Sequence, residues 1–279
     1  MAIIDFRVRP PYGTYQNFVN NINEEALAKY GFEYKGSLKS KSFDDFIKEL
    51  DATGVEKVVL QGRHGMGLYV ENNELFELAD KYPERFIVFP FFDPLEGQKA
   101  LDEIDTLIIN GKGKGASLEP GFPEEGKPGY KFDDAGVYPF YKKLEENNIP
   151  ILLTYSSFAL EVLDTDSPRQ LDQVAKDFPN LKIVVAHGGW PWTLESIAIA
   201  FKRPNIFLSP DIYATRGPGA HNYITAAKTI LKDKIIFGSS YPIIPIDQTI
   251  ELIKNEWGLD EETLKKVLYE NAAKILNLY

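Results

Sequence analysis

The sequence predicts a closed (β/α)8 barrel of the TIM type, an α/β fold, on three observations. Eight short β-rich runs recur along the 279 residues, amphipathic stretches alternate with them, and the length is near the roughly 250 residues of one such barrel. Strands separated by helices pair in parallel through crossovers, and closing the sheet on itself leaves no edge strand. No linker, low-complexity tract or sustained charge run divides the chain, so residues 1–279 read as a single domain. An open doubly wound sheet is the alternative. It calls for a glycine-rich phosphate loop after an early strand, whereas GKGKG (111–115) precedes a strand and reads as a turn.

The first strand is IIDFRV (3–8). Alternation sends Ile4, Phe6 and Val8 to one face, suited to packing on helices, and Asp5, Arg7 and Arg9 to the other, into the barrel. Residues 11–40, rich in Tyr, Asn and Gly, form an extended first loop over the barrel mouth, where such loops shape access or make a subunit contact. FDDFIKELDATG (43–54) has apolar residues at helical spacing and ends on glycine, and VEKVVLQ (55–61) is the second strand. It runs into the glycine-rich loop QGRHGMG (61–67). Helix and strand then alternate. NNELFELADKYPE (72–84) leads to RFIVFPFF (85–92), GQKALDEIDTLIINGK (97–112) to KGASLE (114–119), and GVYPFYKKLEENN (136–148) to PILLTY (150–155). SPRQLDQVAKDFPN (167–180) leads to KIVVAH (182–187), TLESIAIAFKRP (193–204) to NIFLS (205–209), and YITAAKTILKDK (223–234) to KIIFGS (234–239). IDQTIELIKNEWG (246–258) and a C-terminal helix over 260–279 close the chain.

Composition excludes several functions. A formal net charge of -10, with Lys and Arg dispersed among acids, argues against nucleic-acid binding, which needs basic surface to displace counterions. No apolar run approaches the roughly 20 residues of a membrane span. The absence of cysteine removes disulfides, thiolate metal sites and a thiol nucleophile. MAIIDF is no export signal, so a cytoplasmic location is expected.

Reactive groups in such barrels sit at the C-terminal ends of the strands. Those ends supply Arg7 and Arg9; Gln61, Arg63 and His64; Ser117 and Glu119; Thr154 and Tyr155; His187; Ser209 and Asp211; and Ser239, Ser240 and Tyr241. Two inward guanidiniums must find acids, carbonyls or a ligand. Besides plain surface exposure, the residues leave two readings open. The pair clamps a carboxylate or phosphate, with Arg63 assisting, or it forms an internal plug paired to Asp5, Glu119 or Asp211. His187 suits a general acid or base, or is a packed histidine. Glu119 is a base or a neutraliser of the arginines. His64 closes over ligand or is simply solvated.

The wording of these ends resembles the amidohydrolase-related (amidohydrolase 2) family of TIM barrels, in IDFRVRP (4–10), VVAHGGW (184–190), IIFGSSYP (235–242) and ENAAKILNL (270–278). The resemblance implies a hydrolase or non-oxidative decarboxylase of small acids, commonly with one divalent metal, and a homodimer or tetramer. It also puts Arg7 and Arg9 where the family has two histidine ligands, Thr154 at a third, and Ser240 at the aspartate that handles water; His187 alone persists. Arginine offers a cation no lone pair, so no catalytic metal or other cofactor is expected. The function expected is metal-independent hydrolysis of an ester, lactone or amide in a small anionic substrate. His187 and Glu119 are the candidate catalytic residues. Arg7, Arg9, Arg63, His64, Thr154, Asp211, Ser240 and Tyr241 are the candidate binding residues. The alternatives are a decarboxylase of the same family and a non-catalytic barrel that binds a metabolite or partner.

Overall fold

The computed structural model describes all residues except 66, 123–125, 128 and 156–166; of the sequence readings above, Met66 of the glycine-rich loop lies outside the described residues. Eight parallel staves close into a barrel. Strands β1 (Ile3–Val8), β2 (Val55–Gln61) and β5 (Phe86–Phe89) pair side by side. So do β6 (Ala116–Leu118), β7 (Ile151–Thr154), β8 (Ile183–Ala186) and β9 (Ile206–Ser209). A parallel bridge between Phe91 and Ser117 joins the two sheets on one side. Residues 234–241 join them on the other, bridging Leu208 through Ile235 and Val8 through Tyr241.

This eighth stave departs from the strand expected over 234–239. It is extended but makes isolated bridges, because the Phe237 amide donates to the Val267 carbonyl (2.9 Å) outside the ladder. Gly238 follows, where a Cβ would stand 2.6 Å from Ser209 Oγ and 3.4 Å from Arg7 Cβ. The close approach of three staves requires glycine there.

Helices cover the outside of the barrel. In α4 (Phe43–Thr53), Ser42 Oγ accepts the Asp45 amide at the start and left-handed Gly54 (φ +78°) ends the helix. The helices α5 (Asn72–Lys81), α6 (Gln98–Ile104), α7 (Tyr138–Glu146), α8 (Pro168–Asp177), α9 (Thr193–Lys202), α10 (Ala220–Lys228) and α11 (Ile246–Glu256) follow. The C-terminal stretch is α12 (Glu261–Lys265), a π-helical turn (Lys266–Glu270) and α13 (Asn271–Ile275). Residues 11–40 contain three short helices, α1 (Tyr15–Asn21), α2 (Glu24–Ala28) and α3 (Gly36–Ser40), anchored by buried Val19, Leu27 and Leu38. The glycine-rich loop is an antiparallel hairpin of β3 (Arg63–Gly65) and β4 (Leu68–Val70). No helix among the described residues is long and apolar enough to cross a membrane.

Two apolar clusters hold the layers together. The outer one packs the staves on the helices. The inner one draws Ile4, Phe6, Val59, Phe89, Leu152, Val184, Phe207 and Ile236 from opposite staves. Ala272, Ala273, Ile275 and Leu276 join it and seal the end where the strands begin; there Lys182, just before β8, reaches the Lys274 carbonyl. The expected alternation of the first strand is corrected here. Ile4 and Phe6 face inward, and a register shift between Asp5 and Val8 turns Arg7 inward as well. One extra residue in a strand reverses which side chains share a face. Above the apolar layer the interior becomes polar.

Candidate active site at the barrel mouth

Arg7 is fully buried and touches side chains from five other staves or their ends, so it stands at the centre of the interior. Its Nε donates to Gln61 Oε1 (3.0 Å). Its Nη1 donates to Ser240 Oγ (2.9 Å) and Asp211 Oδ2 (3.3 Å) and lies against the His187 ring, 2.9 Å from Nε2 and 3.4 Å from Nδ1. Its Nη2 donates to Thr154 Oγ1 (3.4 Å). Burial pushes this guanidinium below its ordinary pKa and Asp211 partly offsets that.

These partners fix the state of His187. Asp211 Oδ1 only accepts, so the proton of the neutral ring is on Nδ1 and points to it (2.9 Å), which leaves the lone pair on Nε2. Burial and the neighbouring Arg7 push the imidazole down to about 4, leaving it neutral at physiological pH. For Asp211 burial acts upward, but His187, Arg7 and the Ile212 amide (2.6 Å) outweigh it and hold the carboxylate below its usual range. His187, Asp211 and Ser240 all have left-handed backbone (φ +62°, +39° and +56°). Such strain in three residues of one cluster marks a place where geometry is imposed.

Glu119 is held on the opposite side. Its Oε1 accepts from Gln61 Nε2 (3.1 Å) and Thr154 Oγ1 (3.0 Å), and its Oε2 faces Arg63 Nε at 3.3 Å. The carboxylate therefore sits where it neutralises Arg63 and ties β2, β6 and β7 together. Asp5 is pushed up to about 7 by burial and accepts the Arg7 and Ser239 amides (3.1 and 2.9 Å).

Arg9 differs from its neighbour. It is 1% exposed, and its Nη1 donates to Ser240 Oγ (3.3 Å). Its Nε and Nη2 have no hydrogen-bond partner, and no carboxylate pairs with it among the described residues. Burial, then Arg7 and Arg63, lower it to about 9, so it stays cationic at neutral pH. Arg9 lines a cavity of about 350 Å³ together with Arg63, Thr154 and His187. The remaining wall is mainly apolar: Phe18, Ile22 and Ala26 from the 11–40 segment, Leu68 of the hairpin, and Phe122, Ile212, Tyr213 and Ile243. Trp190 stacks flat on Tyr213 at 4.6 Å and stiffens that wall.

The structure thus brings together Arg7, Arg9, Arg63, Glu119, Thr154, His187, Asp211 and Ser240. The other two predicted site residues lie elsewhere. Tyr241 follows inward Ser240 and alternates outward, packing on Phe46 (5.1 Å) with its hydroxyl 3.0 Å from Ser37 Oγ. His64 stacks on Tyr69 (3.8 Å) and Phe91 (4.4 Å), because in the hairpin it points opposite to Arg63. Gln61 was absent from the predicted site although it bridges Arg7, Glu119 and Thr154. Its position two residues after inward Val59 was the signal.

A divalent ion held between His187 and Asp211 would sit against the Arg7 guanidinium, whose Nη1 is 2.9 Å from His187 Nε2 and 3.3 Å from Asp211 Oδ2. Among the described residues no three His, Asp or Glu side chains converge on one point. The residues present do not fit the metal that the family resemblance implies.

No curated protein matches the chain by sequence. Among solved structures, an uncharacterised TIM-barrel protein from Bordetella bronchiseptica is 31% identical, with 99% of each chain covered and a TM-score of 0.89. 2,6-Dihydroxybenzoate decarboxylase from Rhizobium is 16% identical over 100% of this chain and 99% of its own, at 0.73. 4-Oxalomesaconate hydratase from Rhodopseudomonas palustris is 18% identical over 99% and 95%, at 0.66. The last two likenesses are of fold alone. The Amidohydrolase family matches residues 18–278. With that match running from the first loop through the closing helices and so covering every stave but β1, the chain belongs to the amidohydrolase family.

Proposed function

We propose that this barrel hydrolyses an ester, lactone or amide bond in a small carboxylic acid, without a divalent cation. The observation that carries this reading is the bare edge of Arg9. Nε–H and the N–H of Nη2 lie parallel on one side of a guanidinium, which is the edge that binds a carboxylate through two hydrogen bonds. Here Nε and Nη2 are buried and unpartnered, and Arg9 is one of the residues that line the cavity. Arg7 pairs with Asp211 and Arg63 with Glu119, so Arg9 is the guanidinium of the cluster that lacks an acid. A ligand carboxylate supplies it.

His187 is the proton carrier. It lines the cavity, is neutral, and is oriented by Asp211, as a general base requires. Its Nε2 lone pair takes a proton from water as the water oxygen bonds to the substrate carbonyl. The same proton then goes to the leaving oxygen or nitrogen as its bond to that carbon breaks. Arg7 provides a fixed positive charge behind the site, and Thr154 Oγ a polar contact in its wall. Carbon–carbon cleavage fits less well, since a bidentate clamp stabilises the carboxylate charge that decarboxylation must disperse.

A thermal-shift series with hexanoate and benzoate in metal-free buffer tests the clamp. At about 100 times Kd a ligand adds about 2.7 kcal/mol, or roughly 5 °C for a chain of this size. Arg9→Met is expected to lose that shift while remaining folded. An equal shift in the variant, or turnover that a chelator abolishes, contradicts the proposal.

A further inference from the structure

We infer that the cavity selects ligands with one negative charge and an uncharged, mainly apolar body: monocarboxylic acids in preference to dicarboxylic ones. This rests on the reading of Arg9 as a carboxylate clamp and adds what the rest of the ligand must be.

Charge pairing around the cavity sets the selection. Arg7 stands 3.3 Å from Asp211 and Arg63 stands 3.3 Å from Glu119, each pair buried or nearly so. Only Arg9 of these three is left without an acid among the described residues. One ligand carboxylate completes the cluster. A second would lie against Phe18, Ile22, Leu68, Phe122, Ile212 or Ile243, where removing an ion from water without a partner costs several kcal/mol. Two further cations are within the lining, one with its charge already paired and one open to water. Arg63 is charge-paired with Glu119 (3.3 Å), gives its Nε to the Gly65 carbonyl (3.4 Å) and packs over the Phe122 ring at 5.4 Å. Lys29 sits at the rim with its side chain 70% exposed, 3.5 Å from Glu25, so its charge is largely screened by water. The cavity holds about a dozen atoms at the ~30 Å³ that one water occupies in the liquid, which suits an acid of six to nine carbons.

Isothermal titration with hexanoate and adipate at pH 7.5 separates the cases, because the two acids share a carbon count and differ by one carboxylate. Hexanoate is expected to bind at least about tenfold more tightly. Leu68→Lys, which adds a cation to the apolar wall at the edge of the hairpin, is expected to narrow that ratio or reverse it. Adipate binding as tightly as hexanoate in the wild-type protein overturns the charge selection alone. An unchanged ratio in Leu68→Lys does the same. A wild-type protein that binds neither acid, and an Arg9→Met form no different from it, overturns the clamp on which the selection rests.

Discussion

Arg7 and Arg9 lie two residues apart on one strand and serve different ends. Arg7 is consumed by the protein: side chains from five other staves or their ends surround it, and its Nη1 puts a positive charge between His187 and Asp211. Its closest acid is Asp211, with both side chains fully buried. Breaking such a pair from one side strands a charge and costs about 3–5 kcal/mol. Asp211→Asn is therefore expected to lower stability by that amount in urea unfolding. Adding Arg7→Met should recover part of the loss, and additive losses would show that the two do not act as a pair. His187 gives a pH signature. Its folded value near 4 lies below the ordinary 6.5, so between these the unfolded chain binds a proton that the folded one refuses. Stability from this group is complete above pH 6.5 and falls as pH drops toward 4. Asp5 works the other way: raised from 3.8 to about 7, it favours the folded state at low pH and loses that contribution as pH rises toward 7. In His187→Asn the decline in Tm between pH 6.5 and 4.5 should be shallower than in wild type. Parallel curves would show that His187 is not held neutral.

At the scale of the element, the site depends on the β1 register shift and on the 11–40 segment. The segment places Phe18, Ile22 and Ala26 on the cavity and is pinned at its start by Glu74, which accepts from the Thr14 amide (2.7 Å) and hydroxyl (2.9 Å). Its far end is pinned by paired hydrogen bonds between Gln248 and the Glu33 backbone (2.9 Å each). Glu74→Ala removes two bonds to a charged acceptor, worth about 1.5–3 kcal/mol each. Amides of α1 are expected to exchange faster in that variant while those of β7 and β8 do not change. Uniformly faster exchange would mean that the segment does not open separately. The staves were legible because apolar runs of four to seven residues repeat between helical patterns, and seven of the eight fall within their sequence spans as regular strands. The register shift was not legible, since nothing local in IIDFRVRP marks an extra residue. Nor were the helices α1 to α3, which are five to seven residues long and owe their shape to what they pack on.

Across the whole molecule, a chain of net charge -10 keeps a positive interior at one end of its barrel. Sequence reasoning located that end from the polar residues that finish each stave. It could not decide which arginine meets ligand, because the answer lies in distances between staves far apart in sequence: Arg7 to His187, to Asp211 and to Ser240. Below the polar layer, Phe6 packs edge-on to Phe89 (5.6 Å) and is fully buried. Phe6→Ala is expected to cost about 3–5 kcal/mol, and a loss under 1 kcal/mol would show that the inner cluster is not the floor of the site. The most direct test is a crystal structure of the protein soaked with hexanoate, with anomalous data at the zinc and manganese edges. The expected map has the carboxylate on Arg9 Nε and Nη2, and Arg7 Nη1 beside His187 Nε2 with no anomalous peak. A metal peak between His187 and Asp211, with Arg7 displaced, would contradict it.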